Sequence, residues 1–154
     1  MKSHILPVFL FLVLILSAPL FSQTAAKLEA LLEIPALTWS EAAAFVLEAA
    51  DTEISGIEPP PAELAFRFAE EKKWLPKNTS PGDTVRLNGL ALLLMRSFDL
   101  KGGIFYSLTK SPHHAYRELV YKNIIRGNTD PGIPVSGQDL LLMINRLLAI
   151  KEQS

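Results

Sequence analysis

Histidines and serines near the middle of the chain are the residues best suited to chemistry. His113 and His114 are adjacent, so at a helix start they point in different directions. The one carboxylate at a metal-ligand spacing is Glu118, four residues after His114. Ser107 and Ser111 lie close by, but closeness in sequence does not make a catalytic triad. We therefore predict surface or capping histidines, with no metal site, no cofactor and no enzymatic activity.

The loop NTDPG at residues 128–132 partly resembles a calcium-binding loop. A loop of the EF-hand type needs Gly at its sixth place and Glu at its twelfth. Counted from Asn128, Gly132 falls fifth and Asp139 twelfth, so the register fails. Asp and Asn ahead of Pro-Gly are typical of a tight turn, which is what we predict here.

Residues 1–22 have the layout of a secretory signal peptide. Lys2 is followed by an apolar run over 5–16 that is too short to span a membrane, which takes about 20 residues. Cleavage is expected after Ser22 or after Ala26, and an uncleaved anchor is the alternative. The exported chain would occupy the periplasm or cell envelope with no stable membrane span.

The composition of the 132 residues that follow position 22 excludes several classes of ligand and of site. They carry 14 basic and 16 acidic residues, because Lys2 is the one charged residue removed. This balance gives no electrostatic footprint for nucleic acid or for an anionic membrane surface. The absence of cysteine excludes disulfides, cysteine nucleophiles and thiolate metal sites.

An internal repeat organises the chain. WLPKNTSPGDTVR (74–86) and IIRGNTDPGIPVS (124–136) lie fifty residues apart, and 11 of the 34 positions from 65 to 98 are identical to their partners. Such self-similarity is the signature of a repeat architecture. The structural unit therefore recurs.

Each unit is predicted to be helix, loop, helix. The first helices are expected near 62–73 and after Ser111-Pro112, with Asn78 and Gly127 as left-handed caps. The second helices contain the apolar runs 90–95 and 140–144, and AAAFVL at 42–47 is a third copy.

The segments predicted from this repeat are an N-terminal segment 23–37, a half repeat 38–58, full repeats 59–103 and 104–150, and a tail 151–154. Residues 27–34 are predicted either to cover the half repeat as a short helix or to leave it to a second copy, so a homo-oligomer is one alternative. Within 99–112, Ile104, Phe105 and Tyr106 form an exposed apolar cluster, either a packed linker or a partner contact.

Polar motifs open two of the second helices. Thr38-Trp39-Ser40-Glu41 has the pattern of a capping box, and Ser136-Gly137-Gln138-Asp139 has a similar start.

These units resemble the S-layer homology family, whose members have threefold sets of helix–loop–helix units. The similarity rests on ELVYKNIIRG (118–127), AEEKKWLPK (69–77) and helix openings that match Thr-Arg-Ala-Glu, with Trp39 and Gly137 in place of its Arg. The resemblance implies an all-α fold of about two and a half such units, packed as a small helical bundle.

The resemblance also implies a non-catalytic cell-envelope module that binds cell-wall polysaccharide or peptidoglycan. The alternative is a periplasmic protein-interaction module without a glycan ligand, whose partner is an envelope protein. The ligand-binding residues implied are Thr38, Trp39, Glu41, Arg86, Arg126, Ser136 and Asp139.

Overall fold

The fold is all-α, as predicted, in a computed structural model that describes residues 18–52, 61–127 and 130–152. Residues 1–17 of the predicted signal peptide, residues 53–60, the loop residues Asn128 and Thr129, and residues 153–154 lie outside the described ranges. No strand is present in the ranges that are described. Their helices are α1 Ala18–Leu32, α2 Trp39–Ala49, α3 Ala62–Glu71, α4 Leu87–Ser97, α5 Ile104–Thr109, α6 Pro112–Tyr121 and α7 Gly137–Lys151.

Three extended segments form a closed ring of backbone hydrogen bonds at the centre of the molecule. Leu37 N donates to Val135 O at 2.8 Å, Val135 N to Val85 O at 3.1 Å, and Val85 N to Leu37 O at 2.8 Å. All three side chains are buried. Each of these residues lies two positions before a second helix, so the ring sets the starting points of α2, α4 and α7.

The helices pack in a cyclic order. The first helix of one unit lies on the second helix of the unit before it, so that α3 packs on α2 and α6 packs on α4. In the same way α1 packs on α7, which closes the cycle. The apolar runs predicted from sequence form the core, where Val46, Leu93 and Leu140 are fully buried.

Helix α1 therefore stands where the first helix of the first unit belongs. Of the two predicted ways to cover that unit, the structure has the internal one, and the helix is longer than residues 27–34. It contains both predicted cleavage positions, Ser22 and Ala26. An ion pair of 3.8 Å between Lys27 and Glu48 also ties α1 to α2.

The first helices end earlier than the predicted caps. Asn78 and Gly127 do adopt positive φ, but α3 and α6 end at left-handed residues Lys73 and Asn123. At α6, Asn123 N–H donates to Val120 O and Ile124 N–H to Leu119 O, the pattern of a Schellman motif. Burial of the apolar residue after the cap explains the earlier end, because Ile124 has to turn into the core.

Gly137 provides a test of the α1–α7 contact. A Cβ at this position would overlap the backbone carbonyl of Leu31, and its N–H already donates to Ile34 O at 2.9 Å. We expect Gly137→Ala to lower the free energy of unfolding by about 1–3 kcal/mol, the usual cost of overpacking. Chemical denaturation of the full chain would measure it.

The matched control is Gly82→Ala. No atom lies within 4 Å of a Cβ at Gly82, and its φ is not in the left-handed region. Equal stabilities of the two variants would contradict the packing of α1 on α7.

Candidate functional site

The polar residues predicted to bind ligand at the helix openings serve mainly as helix caps. Glu41 accepts hydrogen bonds from Thr38 N at 2.8 Å and Thr38 Oγ1 at 2.6 Å. Asp139 accepts one from Ser136 Oγ at 2.6 Å, and Asp139 N donates to Ser136 Oγ at 3.1 Å. The predicted capping boxes are therefore present, and they occupy the groups that a ligand would need.

Trp39 is not placed to stack on a sugar ring. Its side chain is only 4% exposed. A Cβ at Gly89 would come within 2.9 Å of the indole ring, so the ring lies directly against the backbone of α4. Trp39 therefore fills space between α2 and α4.

The two predicted arginines lie at separate places. Arg86 Nη1 donates to Gly132 O at 3.0 Å and links the two repeated turns. Arg126 Nε donates to Asn123 O at 3.1 Å, at the end of α6. Arg126 and Asp139 line the same small groove of about 150 Å³, which brings two of the predicted site residues together.

A larger groove lies between the second and third units and was not predicted. Its volume is about 550 Å³, and it runs between the loop after α3 and the start of α6. Three lysines line it, Lys73, Lys77 and Lys110. The hydroxyls of Thr79, Thr109 and Ser111 share its wall with Glu70, and Leu75, Pro76 and Leu92 supply apolar surface.

The large groove continues along α3. A further cavity of about 470 Å³ shares Glu70 and Thr79 with it and adds Arg67 and Ser80. The two together make an extended furrow that is open to solvent. Such a shape suits a chain-like ligand better than an enclosed small molecule.

The charge in the large groove is mainly positive. Among the described residues, the ion pair at salt-bridge distance is Lys27–Glu48, which is elsewhere. The ammonium groups of Lys73, Lys77 and Lys110 thus have no carboxylate at that distance, and Glu70 is the one acidic residue in the groove wall. An anionic ligand would meet unpaired cations there.

The two grooves are lined in part by equivalent positions of the sequence repeat. Leu75, Pro76 and Leu92 of the large groove are fifty residues from Ile125, Arg126 and Leu142 of the small one. The lysines do not follow the repeat, since Asn123 and Gly127 stand where Lys73 and Lys77 would recur. No sequence motif marks them, which is why sequence reasoning missed this groove.

Of the histidine pair, His114 takes part in capping α6 and His113 is exposed, which are the two roles predicted. Ser111 Oγ accepts from His114 N at 3.3 Å and lies 2.9 Å from Nδ1 of the same residue. No cluster of three or more His, Asp or Glu residues in the described ranges is arranged to hold a metal ion. In the turn, Asp130 Oδ1 accepts from Gly132 N at 2.8 Å, which supports the predicted turn at that residue.

The apolar segment after α4 forms the short helix α5, with one correction to the prediction. Ile104 and Phe105 are exposed, but Tyr106 is only 5% exposed and anchors the helix in the core. Burial raises the pKa of the Tyr106 phenol above its usual range, nearby Arg96 opposes this, and Asp99 and Glu118 add to it.

No protein-family model matches the chain, and neither a curated protein nor a solved structure gives a significant match. Among the described residues, no helix is both long enough and apolar enough to cross a membrane.

Capping roles can be separated from ligand roles by mutation. Ser136→Ala removes the acceptor for Asp139 N–H, so we expect the free energy of unfolding to fall by about 1 kcal/mol. Gln138→Ala, at an exposed neighbouring position, should leave it unchanged. A Ser136→Ala chain of normal stability that had lost ligand binding would contradict the capping role.

The raised pKa of Tyr106 predicts that the free energy of unfolding depends on pH. Because its folded pKa is raised, the unfolded chain releases the phenolic proton first as the pH rises above about 10. The free energy of unfolding should therefore fall with pH in that range, and Tyr106→Phe should make the fall shallower. Denaturation at several alkaline pH values measures the slope. Tyr121→Phe, at an exposed position, should keep the wild-type slope.

Proposed function

We propose that this chain is a non-catalytic module of the bacterial cell envelope that binds an anionic cell-wall polysaccharide. The binding site is the large groove between the second and third units. The observation that carries the proposal is the set of three lysines, Lys73, Lys77 and Lys110, which line an extended polar furrow and have no carboxylate partner among the described residues.

The chemistry of the groove fits a charged sugar polymer. Lysine ammonium groups are compact point charges that suit phosphate or carboxylate groups on the polymer. The hydroxyls of Thr79 and Thr109 already donate to Pro76 O and Phe105 O, so towards sugar hydroxyls they can act as acceptors. Leu75 and Leu92 are only 8% and 4% exposed, so the apolar surface within reach of a sugar ring is that of the half-buried Pro76.

The walls of the groove are held by backbone geometry. Lys73, Asn78 and Lys110 all have positive φ. Lys73 N donates to Glu70 O at 2.9 Å, and Lys110 N donates to Tyr106 O at 2.7 Å. Two of the three lysines are thus fixed at helix ends, and a preformed site loses less entropy when a ligand binds.

The resemblance to S-layer homology units supports the same class of ligand from an independent direction. It implies attachment to wall polymer, and the predicted signal peptide would deliver the chain to that location. The proposal assigns ligand binding to the lysines of the large groove, whereas the resemblance implied Arg86 and Arg126.

A second candidate is a periplasmic protein-interaction module. Helices α1 and α7 leave Leu28, Leu32 and Leu142 about 40% exposed. A partner protein could cover these side chains. This candidate predicts no dependence on wall polysaccharide.

The proposal is tested by co-sedimentation of the full chain with cell-wall sacculi, with and without the wall-linked polysaccharide. Pelleting should require the polysaccharide and should weaken as salt is raised. Changing Lys73, Lys77 and Lys110 together to Gln should weaken binding roughly tenfold, taking about 0.5 kcal/mol for each exposed charge pair.

The matched control changes Lys101, Lys122 and Lys151 to Gln, which alters the net charge equally outside the groove. Equal losses in the two triple variants would mean that net charge, not the groove, governs binding. Equal pelleting with and without the polysaccharide would favour the protein-interaction candidate.

A further inference from the structure

Helix α5 displays three large apolar side chains to solvent. Ile104, Phe105 and Leu108 are 77%, 73% and 78% exposed. They lie at positions i, i+1 and i+4, so they share one side of the helix. We call these three residues the apolar patch.

The helix that carries the apolar patch is held firmly. Gly103 N donates to Glu118 Oε1 at 2.8 Å at one end, and Thr109 Oγ1 lies 2.8 Å from His114 Nδ1 at the other. Between them the side chain of Tyr106 is buried. The patch is therefore presented by a fixed element rather than by a fraying loop.

Basic residues border the apolar patch. Lys101 precedes α5 and Lys110 follows it, and both are exposed. His113 is exposed as well. Of the acidic residues on the adjoining helices, Glu118 is already engaged by Gly103 N–H, and Asp99 lies at the end of α4. Glu118 keeps its negative charge in that hydrogen bond, so these two carboxylates balance the two lysines and the border has no net charge.

The patch is too small for a stable protein interface. Three side chains of this size expose on the order of 400 Å², whereas a stable complex buries roughly 800 Å² on each partner. A lipid surface needs neither that area nor a complementary shape. It accepts a few apolar side chains at the boundary between head groups and acyl chains.

We propose that the apolar patch of α5 inserts into the surface of a phospholipid membrane. Ile104, Phe105 and Leu108 enter the acyl boundary, while Lys101 and Lys110 remain among the head groups. The inference does not depend on polysaccharide binding. Lys110 follows α5 and also lines the large groove, so the polysaccharide and membrane contacts would meet at that residue.

A site-specific label tests the proposal in the full chain. Because the chain has no cysteine, Leu108→Cys gives one attachment point for a fluorophore that shifts to the blue in an apolar environment. Vesicles of equal parts phosphatidylglycerol and phosphatidylcholine should produce that shift. The control is Gly82→Cys, an exposed position with no atom within 4 Å of a Cβ, which should not shift.

The two labelled positions also distinguish insertion of α5 from vesicle binding through the apolar run at residues 5–16. That run alone can bring the chain to a vesicle, but it would not place position 108 in an apolar environment. A blue shift at 108 and none at 82 supports insertion of α5. No shift at 108, or equal shifts at both positions, overturns it.

Two further variants sharpen the result. Phe105→Ser in the 108-labelled chain should weaken vesicle binding at least about tenfold, since binding scales with buried apolar area. Leu148→Ser on α7 should leave it unchanged. A blue shift that appears without vesicles as protein concentration rises would identify the patch as a contact between copies and overturn the proposal. Pure phosphatidylcholine should give a similar shift, because insertion rests on the exposed apolar area and the border has no net charge.

Discussion

The closed ring of hydrogen bonds among Leu37, Val85 and Val135 is the constraint on which the rest of the fold depends. A buried backbone amide needs a partner, and here each segment satisfies another across 48 to 98 residues of sequence. Because every ring residue lies two positions before a helix, the ring fixes where all three second helices begin. Their apolar sides then meet in one core.

The placement of the first helices follows from that arrangement. Each second helix has one side towards the centre and another still to be covered, and the first helix of the following unit covers it. At the last position the same role falls to α1, and the close approach of Leu31 to Gly137 permits it. A chain with only two complete repeats in its sequence thus closes a cycle of three.

The surfaces available to ligands arise where the units are not equivalent. The cap residues are alike in the first and third units, and their polar groups are occupied within the helix ends. In the third unit, α5 brings Lys110 to the wall of the large groove and carries the apolar patch on its exposed side. The residues fifty positions earlier, 54–59, lie outside the described ranges. One short helix therefore contributes to both proposed surfaces.

The sequence alone determined the features that are written in a few neighbouring residues. The repeat, the helical class, the capping boxes at Thr38 and Ser136, and the start of α6 at Ser111-Pro112 were all predictable, because helix periodicity and capping act over three or four positions. The early ends of α3 and α6 were not, since they depend on the burial of Ile124.

Only the tertiary structure decided which residues lie together in a groove and which are buried. Lys73 and Lys110 are 37 residues apart and line one groove because α6 packs on α4. The resemblance implied a ligand role for Trp39, and Tyr106 was predicted in an exposed apolar cluster, but the packing of neighbouring helices buries both. Local patterns define a helix and its ends, whereas a groove is made by residues that become neighbours only when the helices pack.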